Sequence, residues 1–369
     1  MKWSIPVAKP EIGEEELKAV AEVVKNGWIT QGEQVEKFEK VFSKFCGVKY
    51  GVATSSGTSA LHSALIACGV SKGDEVITTP LSCIASANPI LLQCAKPVFV
   101  DTDARTFNMD VDLIEEKITN KTKAIVPVHL FGHPVDMTPL MELAEKHGIW
   151  VIEDAAQALG AEYKGRRAGS LAHVACFSLY ANKIITTGEG GMVITNESEL
   201  AEALKSIRNL GEHVSLNFCY PRLGYNYKMT DMQASIGLVQ LSKVEHFIEK
   251  RRKNVAELNE ELKSCDGIES LPDEQGYAKS VYFSYYLQMR NNKLRDEMQG
   301  FLEKIGIETR PFFCVIPEQP PYREMGYTVK GLKNASKAFE KGFYISNSPS
   351  LAQEERTYIA ESIKKGASS

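Results

Sequence analysis

Apolar positions along the chain follow two spacings. In residues 13–25 and 34–45 they recur every three or four positions among charged side chains, which predicts two amphipathic helices. Short runs that are apolar almost throughout then appear: a strand at residues 49–53, DEVITTP, PVFVD, KAIVPVHLFG, IWVIEDAA, HVACFSLY and GGMVIT. Continuous apolar runs mark strands buried on both faces. Helical patterns lie between them, at residues 59–68, in IASANPILLQC and in TPLMELAEKHG. Strand and helix alternate over residues 49–200, which predicts an α/β fold with a mostly parallel central sheet covered on both sides.

The pattern changes near residue 240. A long charged helix is predicted over 240–264, then an alternating aromatic strand in SVYFSYYLQMR, a helix in LRDEMQGFLEKIG and an extended stretch in IETRPFF. This reads as a smaller α+β domain over 241–369, beside a large α/β domain over 1–240 that begins with an N-terminal arm.

Composition narrows the function classes. The 369 residues are 43% hydrophobic and 24% charged, values of a folded domain pair rather than a disordered chain. The net charge of −4 supplies no field for nonspecific nucleic-acid binding. No apolar run approaches the roughly 18 residues that span a bilayer, and the first twenty residues lack the apolar core of a secretory signal. None of the eight cysteines forms a C-x-x-C pair, so no metal site is expected. Free, mostly buried thiols in a reducing compartment are expected, which points to the cytoplasm; Cys83 is set apart from them.

Ligands of open parallel sheets sit beyond the carboxyl ends of the strands, and three such ends are rich in polar groups. Ser55-Ser56-Gly57-Thr58-Ser59 joins a strand to a helix. Its hydroxyls, helix amides and glycine make either a phosphate cradle or a helix cap. Asp154, after the run IWVI, is either a helix cap or the partner of a protonated ring nitrogen. Lys183 is flanked by apolar strands and a glycine-rich turn, a setting that lowers an amine pKa and suits Schiff-base chemistry. Phosphate cradle, acid and lysine taken together match the three polar groups of pyridoxal 5'-phosphate (PLP).

EDAAQALGAEYKGRRAGSLAHVACFSLYANKIITTGEGGMV resembles the core of the DegT/DnrJ/EryC1/StrS sugar aminotransferases. The likeness runs from about Ile5 to Ile359 and includes GWITQGEQVEKFEKVFSKFCGVKYGVATSSGTSAL, PVHLFGHPVDM and LGYNYKMTDMQASIG. It implies the aspartate aminotransferase-like fold (fold type I) and a homodimer with shared active sites. It also implies roles residue by residue. Lys183 bonds the cofactor and shuttles the proton. Asp154 pairs with the pyridinium nitrogen, and Gln157 lies beside the ring. Gly57, Thr58 and Ser178 hold the phosphate, which Asn226 reaches from the partner subunit. Cys83 stands where the family usually stacks an aromatic on the ring.

The resemblance further implies L-glutamate as amino donor and a nucleotide-linked ketosugar as acceptor, with an amino sugar for glycan or O-antigen synthesis as product. KIITTGEGGM, YPRLGYNYKMTDMQASIGLVQL and GIETRPFF look most like the perosamine synthase branch, whose acceptor is a GDP-linked 4-keto-6-deoxyhexose. UDP- or dTDP-linked 4-keto or 3-keto sugars are the alternative. Dehydrating relatives carry His at the lysine position, so Lys183 favours transamination. Two departures stand out: Cys83, and the histidine-free segment from Phe312 to Glu318. On the substrate side, Trp28 reads as packing or as a stacking platform. Thr30 shares its loop. Glu189 reads as a sugar contact or a turn cap, and Arg310 as an anion site or an ion-pair member. His129 and His133 read as hydrogen-bonded residues at the sheet rim or as substrate contacts.

Overall fold

The structure, a computed structural model, describes residues 4–367; Met1, Lys2, Trp3, Ser368 and Ser369 lie outside the described residues. Its main sheet has seven strands: β1 (Tyr50–Thr54), β2 (Glu75–Thr78), β3 (Lys96–Phe99), β4 (Thr122–Val126), β5 (Trp150–Asp154), β6 (Val174–Ser178) and β7 (Gly191–Thr195). Their order across the sheet is β1-β7-β6-β5-β4-β2-β3. Strands β2 to β6 pair in parallel, whereas β7 runs against both β6 and β1. The reversal follows from the connection: β7 returns directly from β6 with no crossover helix, and such a return is antiparallel.

Side chains alternate between the two faces of each strand. Val151 and Ile194 face one core, with Phe38, Phe42 and Phe177. Ile152 and Val193 face the other, with Ala60, Ala64 and Leu204. Helices α1 (Glu14–Asn26), α2 (Glu33–Cys46), α3 (Gly57–Ala67), α4 (Met137–His147), α5 (Ser198–Arg208), α6 (Asp231–Ser242) and α7 (Val244–Leu262) accompany this sheet. A second, antiparallel sheet is built from β8 (Ile268–Ser270), β9 (Tyr285–Met289), β10 (Arg310–Pro311) and β11 (Gly342–Ile345), in the order β8-β9-β11-β10. With α7, α8 (Asn292–Lys304), α9 (Lys333–Lys341) and α10 (Gln353–Ala367) it has its own core, including Leu258, Leu287, Met298 and Ile359.

Several elements depart from the sequence pattern. The run KAIVPVHLFG is strand only to Val126, because Pro127 has no N–H for the ladder. IASANPILLQC breaks into a single 3-10 turn (Ile84–Ser86) and a short helix (Asn88–Leu92) with a proline in its first turn. The helix expected over 240–264 is two helices, α6 and α7, separated at Lys243, and the expected boundary at residue 241 falls near the end of α6. SVYFSYYLQMR is strand only over Tyr285–Met289. All eight cysteines are free, but only Cys46, Cys68 and Cys176 are buried. Cys94, expected inside, lies on an exposed turn with φ 54°.

The N-terminal arm is stitched across the molecule. Ile5 joins the second core and bridges Ile307. The Val7 N–H donates to Glu308 (2.8 Å), Ser348 Oγ donates to the Lys9 carbonyl (3.0 Å), and Gln240 Nε2 donates to the Glu11 carbonyl (2.8 Å). No helix among the described residues is long and apolar enough to cross a membrane.

Candidate active site

The carboxyl ends of β1, β5 and β6 open on one edge of the main sheet, and there the predicted residues gather. β1 turns through Ser55 into α3. Ser56 Oγ accepts the Ser59 N–H (3.1 Å), and Ser59 Oγ accepts the Ser56 N–H (2.9 Å), a reciprocal cap. The cap leaves the Gly57 and Thr58 amides, the first two of the helix, without intrahelical acceptors. A Cβ on Gly57 would lie 2.7 Å from Ser178 Cβ, so glycine is required where the helix start meets the end of β6. A Cβ on Gly191, at the start of β7, would meet the Ser56 carbonyl still more closely. Two free amides at a helix N-terminus with the Ser178 and Thr58 hydroxyls form a place for an anion.

β5 ends in two buried acids with opposite surroundings. Glu153 Oε1 accepts the N–H groups of Leu171 (2.8 Å) and Ala172 (2.9 Å). Its Oε2 accepts the Gly169 N–H (2.7 Å) and faces His129 Nε2 (3.0 Å). His129 Nδ1 accepts the Val135 N–H, so the ring hydrogen sits on Nε2 and both nitrogens are occupied. His133 is likewise consumed, between the Pro134 carbonyl and the Gln275 N–H. The rim reading of both histidines therefore fits their geometry.

Asp154, one residue on, lies on the other face and has two donors: Ser86 Oγ at 2.7 Å and the Ala156 N–H at 3.2 Å. Burial raises its pKa, and these hydrogen bonds and Lys183 offset that rise only in part. A carboxyl so placed takes a cation readily, because a positive partner restores what desolvation removed.

Lys183 stands in the turn between β6 and β7, its N–H bonded to the Tyr180 carbonyl (2.9 Å) and its Nζ 4.7 Å from the Phe283 ring centre. Burial lowers its pKa, with Cys83 and Asp154 acting the other way. The exposed thiol of Cys83 thus shares this small space. Gln157 is buried, and its Oε1 accepts the Phe131 N–H (2.8 Å), which leaves its amide nitrogen for the site.

The substrate-side residues divide. Thr30 and Glu189 come together at the start of α6: the Asp231 N–H donates to the Thr30 carbonyl (2.9 Å), and Gln233 Nε2 donates to the Glu189 carbonyl (2.8 Å). Trp28 is 62% exposed, and its indole N–H is taken by the Gln31 carbonyl (3.0 Å). Arg310 lies on β10 and pairs with Glu308 (2.6 Å), whose other oxygen holds the arm at Val7. Asn226 is exposed, one residue before Tyr227, whose carbonyl accepts the Ser55 N–H (2.8 Å). Ser86, which orients Asp154 and is itself 2.9 Å from Ser82 Oγ, is a site residue that sequence reasoning missed. It lay inside an expected helix, and the hydroxyl pair Ser82 and Ser86 was the available signal.

Anion cradle, cation-seeking acid and desolvated amine on one edge fit a phosphorylated, protonated ring with a reactive carbonyl. Known proteins agree. The family model for the DegT/DnrJ/EryC1/StrS aminotransferases matches residues 10–364. GDP-perosamine synthase of Caulobacter vibrioides is 41% identical over 324 residues, covering 87% of each chain. The enzyme of that name from Escherichia coli O157:H7 is 40% identical over 369 residues, covering 99% of each. Spr1654 of Streptococcus pneumoniae, in its PLP form, superposes with a TM-score of 0.94 at 30% identity, over 99% of this chain and 98% of that one. The fold type and the cofactor expected from sequence are those of these proteins. The chain belongs to the DegT/DnrJ/EryC1/StrS aminotransferase family and is a PLP-dependent sugar aminotransferase.

Proposed function

We propose that the enzyme moves the amino group of L-glutamate to a nucleotide-linked 4-keto-6-deoxyhexose, GDP-linked as for the perosamine synthases it resembles, for glycan synthesis in the cytoplasm. What supports the reading is that β5 and β6 bring Asp154, oriented by Ser86 (2.7 Å), and Lys183 to one edge of the sheet in a chain 40–41% identical to GDP-perosamine synthases.

When bound, PLP supplies an electron-withdrawing ring that stabilises negative charge on the carbon losing a proton. The chain supplies the rest. Gly57 and Thr58 N–H groups, with the Thr58 and Ser178 hydroxyls, hold the phosphate. Asp154, oriented by Ser86, holds the proton on the ring nitrogen. Gln157 fixes the ring edge. Lys183 Nζ, whose pKa burial lowers, takes the proton from the donor carbon and returns it to the acceptor. Cys83, whose exposed thiol lies near Lys183, would border the ring, and Thr30 and Glu189, with Trp28 and Arg310 further out, would border the sugar side.

The enzyme acts as a homodimer in this reading. The segment from Leu210 to Tyr225 exposes apolar side chains that include Phe218 (86%) and Leu223 (90%), a surface that suits a second copy. Asn226 ends that segment and completes the partner's phosphate site. The test is an absorbance panel. Protein loaded with pyridoxamine phosphate is mixed separately with GDP-, dTDP- and UDP-linked 4-keto-6-deoxy sugars. Recovery of the PLP band with the GDP sugar alone, and an amino sugar by mass spectrometry, is expected. Recovery only with a UDP or dTDP sugar replaces the nucleotide, and no recovery with any of them moves the search to 3-keto sugars.

A further inference from the structure

Beside Lys183, the turn, the N-terminal arm, α7 and the second sheet line a cavity of ≈ 30 Å³; its lining includes Glu11, Asn182, Lys183 and Arg251 but not Gly57, Thr58 or Ser178. Arg251, on α7, is 6% exposed. Its Nη1 donates to the carbonyls of Phe283 (2.8 Å) and Asn347 (2.7 Å), which uses both hydrogens of that nitrogen. Its Nε is buried with no hydrogen-bond partner among the described residues. Two buried acceptors on the same cavity share that condition: Glu11 Oε2, on the arm, and Asn182 Oδ1, immediately before Lys183. Glu11 Oε2 has Lys250 Nζ only at 4.0 Å.

A buried guanidinium nitrogen left unpaired is costly, and so is a buried carboxylate oxygen. One donor and two acceptors around a polar space that admits about two water molecules are the conditions under which proteins hold ordered water. We propose that Arg251 and Glu11 are positioning residues for Lys183, joined through ordered water in this cavity with Asn182 as the third partner. The arm, α7 and the lysine turn then form one hydrogen-bonded unit, and the amine is held at a fixed height. Direct bonds frame it on both sides: Gln240 ties the Glu11 carbonyl and Ser348 ties the Lys9 carbonyl. The inference rests on the reading of Lys183 as the cofactor-bonding lysine.

Two measurements test it on the full-length, PLP-loaded enzyme. A high-resolution crystal structure is expected to show water within about 3.2 Å of Arg251 Nε, Glu11 Oε2 and Asn182 Oδ1. A bound anion, a direct Arg251–Glu11 bond or no ordered density there overturns the proposal. In steady-state kinetics, Glu11→Gln, Asn182→Ala and Arg251→Lys are each expected to lower kcat about tenfold with the sugar KM within about twofold. The Glu11→Gln/Asn182→Ala double variant is expected to be no slower than the worse single one, because both break one unit. Multiplying defects, or single variants at wild-type kcat, overturn it, and this pair keeps the test intact if Arg251→Lys does not fold. Borohydride reduction followed by peptide mapping is read separately: a label absent from Lys183 refutes the parent reading rather than the water bridge.

Discussion

Glu153 and Asp154 are neighbours on one strand, equally buried, and serve opposite ends. Glu153 is saturated by the chain itself, with two donors on each oxygen. Asp154 receives a hydroxyl and one amide and is left short of a positive charge. The difference arises from the alternation of the strand: one side chain turns toward the Gly169–Ala172 loop, the next toward the site. A buried acid completed by its own chain is architecture, and one left incomplete is a binding site.

The largest effect is expected on the site side. Lys183→Ala is expected to slow the half-reaction with the proposed donor, glutamate, by about 10⁴-fold in stopped-flow absorbance, with the apo fold retained. Asp154→Asn comes next, with kcat lowered about 10²–10³-fold and little change in global unfolding. Glu153→Gln is expected to do the reverse. Its amide turns two donors toward the backbone N–H groups or His129, costing roughly 2–3 kcal/mol in urea unfolding while the surviving folded fraction keeps its kcat. Equal effects of the two substitutions on both readouts would erase the distinction.

The pH dependence sharpens it. In the apo protein Asp154 has a raised pKa, so the folded state holds a proton that the unfolded chain has already released. This contribution to stability is present in full below the ordinary carboxylate pKa and is lost as pH rises through the raised value. Apo Asp154→Asn is therefore expected to lose less stability than wild type across that window, and saturating PLP is expected to cancel the difference. The smallest effect is expected at Arg310→Ala, whose ion pair is more than half exposed on the arginine side: below about 1 kcal/mol in thermal unfolding.

Much of this was legible in sequence, because strand ends carry both fold and function. The runs at residues 49–53, IWVI and VACFS marked the strands, and Gly57, Asp154 and Lys183 stood out as candidates in what comes next along the chain, whereas Ser178 as a phosphate ligand came from the family resemblance. What escaped depended on distant partners. Nothing local to His129 or His133 shows that all four of their ring nitrogens are occupied, three of them by backbone groups. Ser86 was hidden in a helix that Pro89 breaks. The arm has no periodicity to read, and its anchors at Gln240, Ile307, Glu308 and Ser348 are separated from it by most of the chain.

The antiparallel strand β7 also bears on how the enzyme assembles. It is the piece that joins β1 to the rest of the sheet, pairing Tyr50 with Thr195 on one side and Thr195 with Val174 on the other. Until it docks, the Gly57 helix start and Ser178 have no fixed relation, and the turn that carries Lys183 is anchored at one end only. That closure joins segments far apart in sequence, so it is expected to come late in folding. The cofactor then meets a finished pocket rather than a nascent one, so adding PLP during refolding is expected to leave the rate of sheet formation unchanged while slowing subsequent unfolding.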